Sequence, residues 1–583
     1  VTERADAVTT LHALFDEAWE FELREDPLTA TLFYGDHRYD DRLPGASEAD
    51  FARRIETLRD FRARLDAIAP EGLPPGERLN HALFARLLDD QIAEVGFGSH
   101  LMPISKLGGF HAFFAELPLH LQLETVADYE HYLARLRAFP VWVDEHIELM
   151  RAGLRTGLVT PRVALEGVLD TMTPQLNDDP EAGLLYGPFR EFPAAVPGGE
   201  RERLAAAGRA ALREAVTPAY RALAEFLERE YLPGARETIA ASALPNGAAF
   251  YAHRVRMHTT LEVTPEEVHA TGLREVARIR AEMDARMRAT GFSGDFRAFL
   301  AFLREDARFY AETAEGLMKE VALILKRMDG ELPRLFKTLP RTPYGIRPVP
   351  EHIAPRTTTA YYMPPAADGS RAGHYYVNTY DLRSRPLYEL EALSLHEAVP
   401  GHHLHLALQL ELPGMPNFRR FASLTAFVEG WALYAERLGL EVGFYQDPYS
   451  DFGRLTYEMW RACRLVVDTG LHALGWTRQQ AIDYMAENTA LALLNIANEV
   501  DRYIAWPGQA LAYKMGELAI SGLRARAEQA LGPGFDRREF HERLLANGAV
   551  PLDVLSGLID EWLAGVASPA SAPASAPASA APA

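Results

Sequence analysis

Three imidazoles and a carboxylate fall within residues 396–403, read as His396-Glu397-Ala398-Val399-Pro400-Gly401-His402-His403. A helix that carries His-Glu-x-x-His sets two rings on one metal ion and turns the intervening glutamate toward the metal's water. The first two letters of that pattern are here, but the fifth is Pro400, whose ring and missing N–H kink or break a helix. With Pro400-Gly401 looped out as a two-residue insertion, His402 takes the place of the second histidine. In an unbroken helix His403 would share the face of His396 yet stand about 10 Å further along the axis, beyond the span of one ion. His396 and His402 are therefore the expected ligands, with His403 the competing second ligand or a hydrogen-bond donor behind it. The flanks are apolar (Leu390, Leu393, Leu395, Leu404, Leu406, Leu408), a setting in which unpaired polar groups are costly.

Zinc held by two histidines takes a third protein ligand and leaves a position for water. Glu429, in the apolar run Phe427-Val428-Glu429-Gly430-Trp431-Ala432-Leu433-Tyr434-Ala435-Glu436, is the expected third ligand, because a buried carboxylate needs a cation beside it. Glu436, two turns on, is placed either to orient a ligand histidine or to face solvent. Zinc is the default for this ligand set, although cobalt or manganese fit it too. Such a site activates water at neutral pH and polarises a carbonyl. Glu397 would take the water's proton and return it to a leaving nitrogen, a role commonly worth about a hundredfold to ten-thousandfold. Arg461, Arg464, Asp468 and His472 recur at helical spacing and read first as a buried ion-pair network, second as a face for a substrate carboxylate.

The elements that must position these groups are mostly helical. Apolar residues recur at helical spacing from Thr9 to Leu154, with Pro-Gly breaks such as Leu73-Pro74-Pro75-Gly76, and with Gly108-Gly109 read as loop or cleft wall. A second helical group runs from Pro161 to Leu232, interrupted at residues 194–199. Thr264-Pro265-Glu266-Glu267 is a helix start, and the charges from Pro265 to Arg334 read as a solvated face. Between Arg356 and Tyr380 the period changes to two, predicting a hairpin of residues 357–363 and 373–379. Placed just before the metal helix, its strand could pair with an extended substrate, which makes Tyr376 and Asn378 candidate substrate contacts. Helices are expected at Phe421–Leu440, Tyr457–Leu474, Arg478–Tyr503 and Gln509–Leu531.

Composition narrows the function classes. The chain has 583 residues, 48% of them hydrophobic, and a formal net charge of −21. That charge excludes a phosphate-backbone partner, since nucleic-acid binders concentrate Lys and Arg. The single cysteine, Cys463, rules out an intrachain disulfide and a Cys-rich zinc module. The first residues lack a basic start before an apolar core, and no apolar run reaches membrane-spanning length. A cytoplasmic protein without membrane contact is the expectation; oligomeric state is not legible. Residues 568–583, almost wholly Ala, Pro and Ser, read as a disordered tail.

His396-Glu397-x-x-Pro400-Gly401-His402-His403, Glu429-Gly430-Trp431-Ala432-Leu433-Tyr434 and Arg502-Tyr503-Ile504-Ala505-Trp506-Pro507-Gly508-Gln509-Ala510 together resemble a widespread bacterial family catalogued as a domain of unknown function and described as zinc metallopeptidases. The resemblance covers nearly the whole chain apart from the tail. More distantly the layout is similar to the helical gluzincin peptidases, the thimet-type oligopeptidases and angiotensin-converting enzyme. Those enzymes carry an uninterrupted His-Glu-x-x-His, whereas dipeptidyl-peptidases of the His-Glu-Leu-Leu-Gly-His type tolerate an insertion. The resemblance implies a mainly α, two-lobed fold around a deep channel, with a small β-hairpin or sheet beside the metal helix. The lobes would be residues 1–245 and a metal-binding catalytic lobe of 246–567. It also implies Tyr503 as first and Tyr513 as second candidate for stabilising an oxyanion, with Arg502 and Tyr513 among the substrate contacts. The expected activity is zinc-dependent hydrolysis of short peptides. The alternatives are a metal-dependent amidohydrolase acting on a non-peptide amide and a catalytically dead binding protein on a peptidase fold.

Overall fold

The computed structural model describes residues 2–567 except 352, 353, 357, 368 and 370; the expected tail at 568–583 lies outside the described residues. The chain is mainly α, about 70% helical, with one two-stranded and one three-stranded sheet.

The helix Pro448–His472 runs through the half that carries the histidines with nearly every residue buried. Asp447 starts it, its carboxylate accepting from the N–H groups of Tyr449 and Ser450, which satisfies donors that a helix start leaves unpaired. The helix Pro265–Ala289, opened by a Thr264/Glu267 capping box, lies along it. Gly272 permits that closeness: a methyl there would stand 2.7 Å from Leu465 Cβ and 3.0 Å from the Val466 nitrogen. Part of its charge turns inward rather than to solvent. Glu275 meets Lys514 at 3.2 Å and Arg278 meets Glu458, while Lys514 also holds Glu458 at 2.8 Å and Glu517 at 2.7 Å. A fully paired buried network resolves what an unpaired lysine could not.

Apolar clusters divide the chain unevenly. One is drawn from residues 28–235, with Phe114, Phe139 and Tyr220 at its centre; another seats Phe418 among residues 11–88. The N-terminal helices thus also pack on the half that carries the histidines.

Two expectations about elements are corrected. Gly108-Gly109 is strand β2, antiparallel to β1 (Ile104–Ser105), and Gly109 has a φ of 147° that favours glycine. The expected helix Arg478–Tyr503 is two, Arg478–Asn488 and Leu493–Ala505. Arg304 accounts for the break, because its guanidinium donates to the carbonyls of Thr489, Ala490 and Leu491 at 2.9–3.0 Å.

The expected hairpin is present as β4 (Ala360–Met363) and β5 (Gly373–Val377), paired antiparallel. A third strand, β3 (Tyr344–Pro348), pairs with β5 in parallel. The order is β3-β5-β4, so β4 is an edge strand, and it lies against the helix Leu390–Glu397.

Candidate metal centre

The helix Leu390–Glu397 grows out of a 3₁₀ turn that follows Pro386, and it ends at Glu397. Residues 398–401 leave helical geometry, with a cis peptide between Val399 and Pro400, and a new helix starts at His402. The interruption keeps its backbone paired. Gly401 N–H donates to Leu395 O at 2.9 Å and His403 N–H to Ala398 O at 2.9 Å. The Trp431 indole donates to Pro400 O at 2.9 Å and also approaches Gly401 O at 3.3 Å. No larger residue fits at 401, where a methyl would overlap the carbonyl oxygen of His396.

Glu429 stands on the helix Thr425–Leu438, which crosses the helix Ala512–Leu531 at contact distance. A methyl on Gly430 would lie 2.5 Å from Gly516 Cα. Only paired glycines allow this crossing, which sets the depth of Glu429.

His396, His402 and Glu429 each bring a ligand atom within 4.8 Å of the others, and among the described residues they are the one such group. Glu429 Oε2 lies 3.4 Å from His396 Nε2 and 3.6 Å from His402 Nε2, and among the described residues it makes no well-formed hydrogen bond. Three ligand atoms that converge without bonding one another fit a metal of the zinc type. Behind them, Glu436 accepts from His396 Nδ1 at 2.8 Å, the arrangement that fixes a ligand ring and directs Nε2 forward. The Glu429 side chain keeps 19% and that of His402 10% of its exposure, so the centre reaches solvent.

The electrostatics agree with a cation at this point. Burial alone would lower the pKa of His396, but Glu429 and Glu436 more than offset it and carry it to about 9. Burial raises the Glu429 carboxyl, while His402 and His396 bring it down to about 2. His402, chiefly through burial, falls to about 4 and is a neutral donor. Glu397 rises to about 7, mainly through burial, with His396 opposing and Glu429 reinforcing.

His403 points elsewhere. Its Nδ1 meets the Tyr362 hydroxyl at 2.7 Å, and its ring packs on Tyr344 at 4.8 Å, tying the second helix to the sheet. Asn378 is fully buried, its amide donating to Ala354 O at 2.8 Å and Thr358 O at 3.0 Å; it secures the end of β5 and presents no substrate contact. Tyr376 is half-buried and stacks on Tyr361 at 4.7 Å. Tyr503 differs from expectation. Its hydroxyl donates to Glu499 at 2.8 Å and accepts from Arg464 at 3.0 Å and Trp460 at 3.2 Å, so its proton is committed. Arg502 donates to Glu499 at 3.0 Å and to Gln509 at 2.8 Å. Tyr513 is half-buried against Arg464, and its hydroxyl makes no hydrogen bond among the described residues.

Sequence reasoning missed one group. Tyr375, on β5, buries its hydroxyl beside Ser394, and burial together with the Glu397 charge holds its phenol far above the usual range. Its place in a period-two run next to the metal helix was the available signal.

A crystal structure of a candidate lipoprotein from Colwellia psychrerythraea is similar to this chain at 29% identity and a TM-score of 0.90, covering 96% of this chain and 99% of that one. A candidate lipoprotein of unknown function from Shewanella oneidensis shares the fold at 18% identity and a TM-score of 0.69, covering 95% and 99%. No curated protein matches. Residues 27–559 match the model of a bacterial family of unknown function, and on that extent the chain belongs to the family DUF885.

Proposed function

We propose that the chain is a metal-dependent hydrolase of amide bonds, a zinc peptidase acting on short peptides. The observation that carries this reading is the convergence of His396, His402 and Glu429, with no well-formed hydrogen bond to Glu429 Oε2 among the described residues, beside a buried Glu397. Zinc held there would lower the pKa of its water to about 7 and polarise a carbonyl.

The chain's own residues supply the rest. Glu397, held near neutrality by burial, accepts a proton and passes it to the departing amine. Tyr513, with an uncommitted hydroxyl, takes the oxyanion role in preference to Tyr503. Glu436 keeps the His396 ring in place. The edge strand β4 offers main-chain groups along which an extended peptide can align. No helix among the described residues is long and apolar enough to cross a membrane. Carried over from the two lipoprotein relatives, an envelope location stands beside the cytoplasmic one.

The test is metal content and turnover on the same preparation. About one zinc per chain is expected, with hydrolysis of short peptides that Glu397→Gln lowers by about a hundredfold or more. No metal after incubation with zinc, or unchanged turnover in Glu397→Gln, removes the reading. Cleavage of acylated small molecules but not peptides would make it an amidohydrolase.

A further inference from the structure

Beyond the centre, the helix Pro448–His472 and the helix Leu493–Ala505 bring three arginines together with fewer partners than they need. Arg461 and Arg464 flank the Trp460 indole, their guanidinium carbons 4.6 and 4.5 Å from its ring centre. Arg464 and Arg502 both reach one oxygen, Oε2 of Glu499, at 3.1 and 3.0 Å. Arg461 donates through Nη1 to Tyr457 O at 3.3 Å and approaches Glu436 at 3.9 Å, a carboxylate that already serves His396. Arg461 Nε, Arg464 Nη1 and Arg502 Nε are buried and donate to no group among the described residues. The side chains of Arg461 and Arg464 are 6% and 4% exposed.

Besides Glu499 and Glu436, Arg461 also acts on Glu389, Glu397 and Glu429, so the cluster is set apart by its unused buried donors and not by its net charge. Unpaired buried donors cost stability, so the arrangement is unfavourable by itself and favourable around an acceptor such as a carboxylate. A guanidinium presents a planar fork that matches a carboxylate.

The position relative to the centre selects the anion. Arg461 touches Glu436, the partner of His396. Arg464 packs on the Tyr513 ring at 4.3 Å, and Tyr513 precedes by one turn the Gly516 that touches Gly430, next to Glu429. From Arg461 to Arg464 is about one helical turn, roughly 5 Å, and an extended peptide advances about 3.5 Å per residue. That rise corresponds to about one or two residues of an extended peptide.

We infer that Arg461, Arg464 and Arg502 bind the free α-carboxylate of a short peptide, and that the chain removes residues from the carboxyl end. This rests on the hydrolase reading for the reaction but not for the binding.

Titration calorimetry on the full-length Glu397→Gln protein, as purified, would compare N-acetyl-Ala-Ala with its carboxyl-terminal amide. The free acid is expected to bind about tenfold to a hundredfold tighter, the range for hydrogen bonds to a charged group. In Arg464→Gln that ratio falls to near one, whereas Arg464→Lys keeps part of it. Arg502→Gln, at a less buried position, supplies the same comparison should Arg464→Gln fail to fold. Equal binding of acid and amide, binding of neither, or a ratio unchanged in folded arginine variants overturns the assignment. Hydrolysis of both peptides at equal rates by the wild-type chain would keep the hydrolase and discard the carboxylate subsite. Selective binding of the acid without hydrolysis by the wild-type chain would do the reverse.

Discussion

His402 and His403 are neighbours in the chain and separate in what they touch. His402 Nε2 faces Glu429, whereas His403 bonds Tyr362 and packs on Tyr344. His402→Ala should reduce bound zinc to a small fraction of an equivalent with little change in folding. His403→Ala should keep the metal and cost about 1–3 kcal/mol of stability, the penalty for stranding a buried hydrogen-bond partner. Metal analysis and thermal melting of the two variants check this, and the reverse pattern would exchange their roles. At this scale much was legible. His396, Glu397, His402, Glu429 and Glu436 could be read because their spacing, with one insertion, fits a known coordination chemistry. Tyr503 could not, because two of the three partners that commit its hydroxyl, Arg464 and Trp460, stand on another helix, and only Glu499, one turn before it, shares its own. Nothing in the text of a single helix reveals that saturation.

At the scale of elements, the site depends on an interruption held by glycine and tryptophan. Gly401 passes against the His396 carbonyl, and the Trp431 indole binds the carbonyls of the loop from the helix that carries Glu429. Gly401→Ala is expected to destabilise the chain by about 3 kcal/mol or more, since neither backbone can yield without moving a ligand, and to lose the metal with it. A variant that melts and binds zinc like the wild type would show that the loop relaxes more freely than its packing implies. The proline was visible as a helix breaker, and the hairpin as a change of period. The break near Thr489 and the strand β3 were not visible. The first is created by an arginine from another helix; the second is a short segment ending in proline that becomes a strand only through its parallel partner β5.

For the molecule as a whole, the proposed metal would be linked to the fold. The ligands come from three helices: Leu390–Glu397 and Thr425–Leu438 pack on the buried helix Pro448–His472, Thr425–Leu438 also packs on Ala512–Leu531, and His402–Glu411 packs on Thr425–Leu438. An ion that binds only the folded chain stabilises it by about 2.7 kcal/mol at a hundred times its dissociation constant. Zinc should therefore raise the melting temperature of wild type by one to a few degrees, a chelator should reverse this, and His402→Ala should abolish it. A melting temperature indifferent to zinc in the wild type would mean that no folded-state site exists. The mainly helical class was legible from periodicity, and the family from motifs spread over residues 396–510. The unsatisfied arginines were not, since spacing on one helix places a guanidinium on a face without counting its partners. The three candidate ligands all fall within residues 396–429, while Arg461, Arg464 and Arg502 follow. During synthesis the complete ligand set therefore leaves the ribosome before any of these arginines. Closing a segment of that length around an ion carries a small entropic cost beside that of assembling the full chain. Emergence of the ligands does not by itself complete the centre: the helices of His396 and Glu429 pack on Pro448–His472, and that of Glu429 also on Ala512–Leu531, so an ion that binds only the folded chain would be taken up after both have left the ribosome.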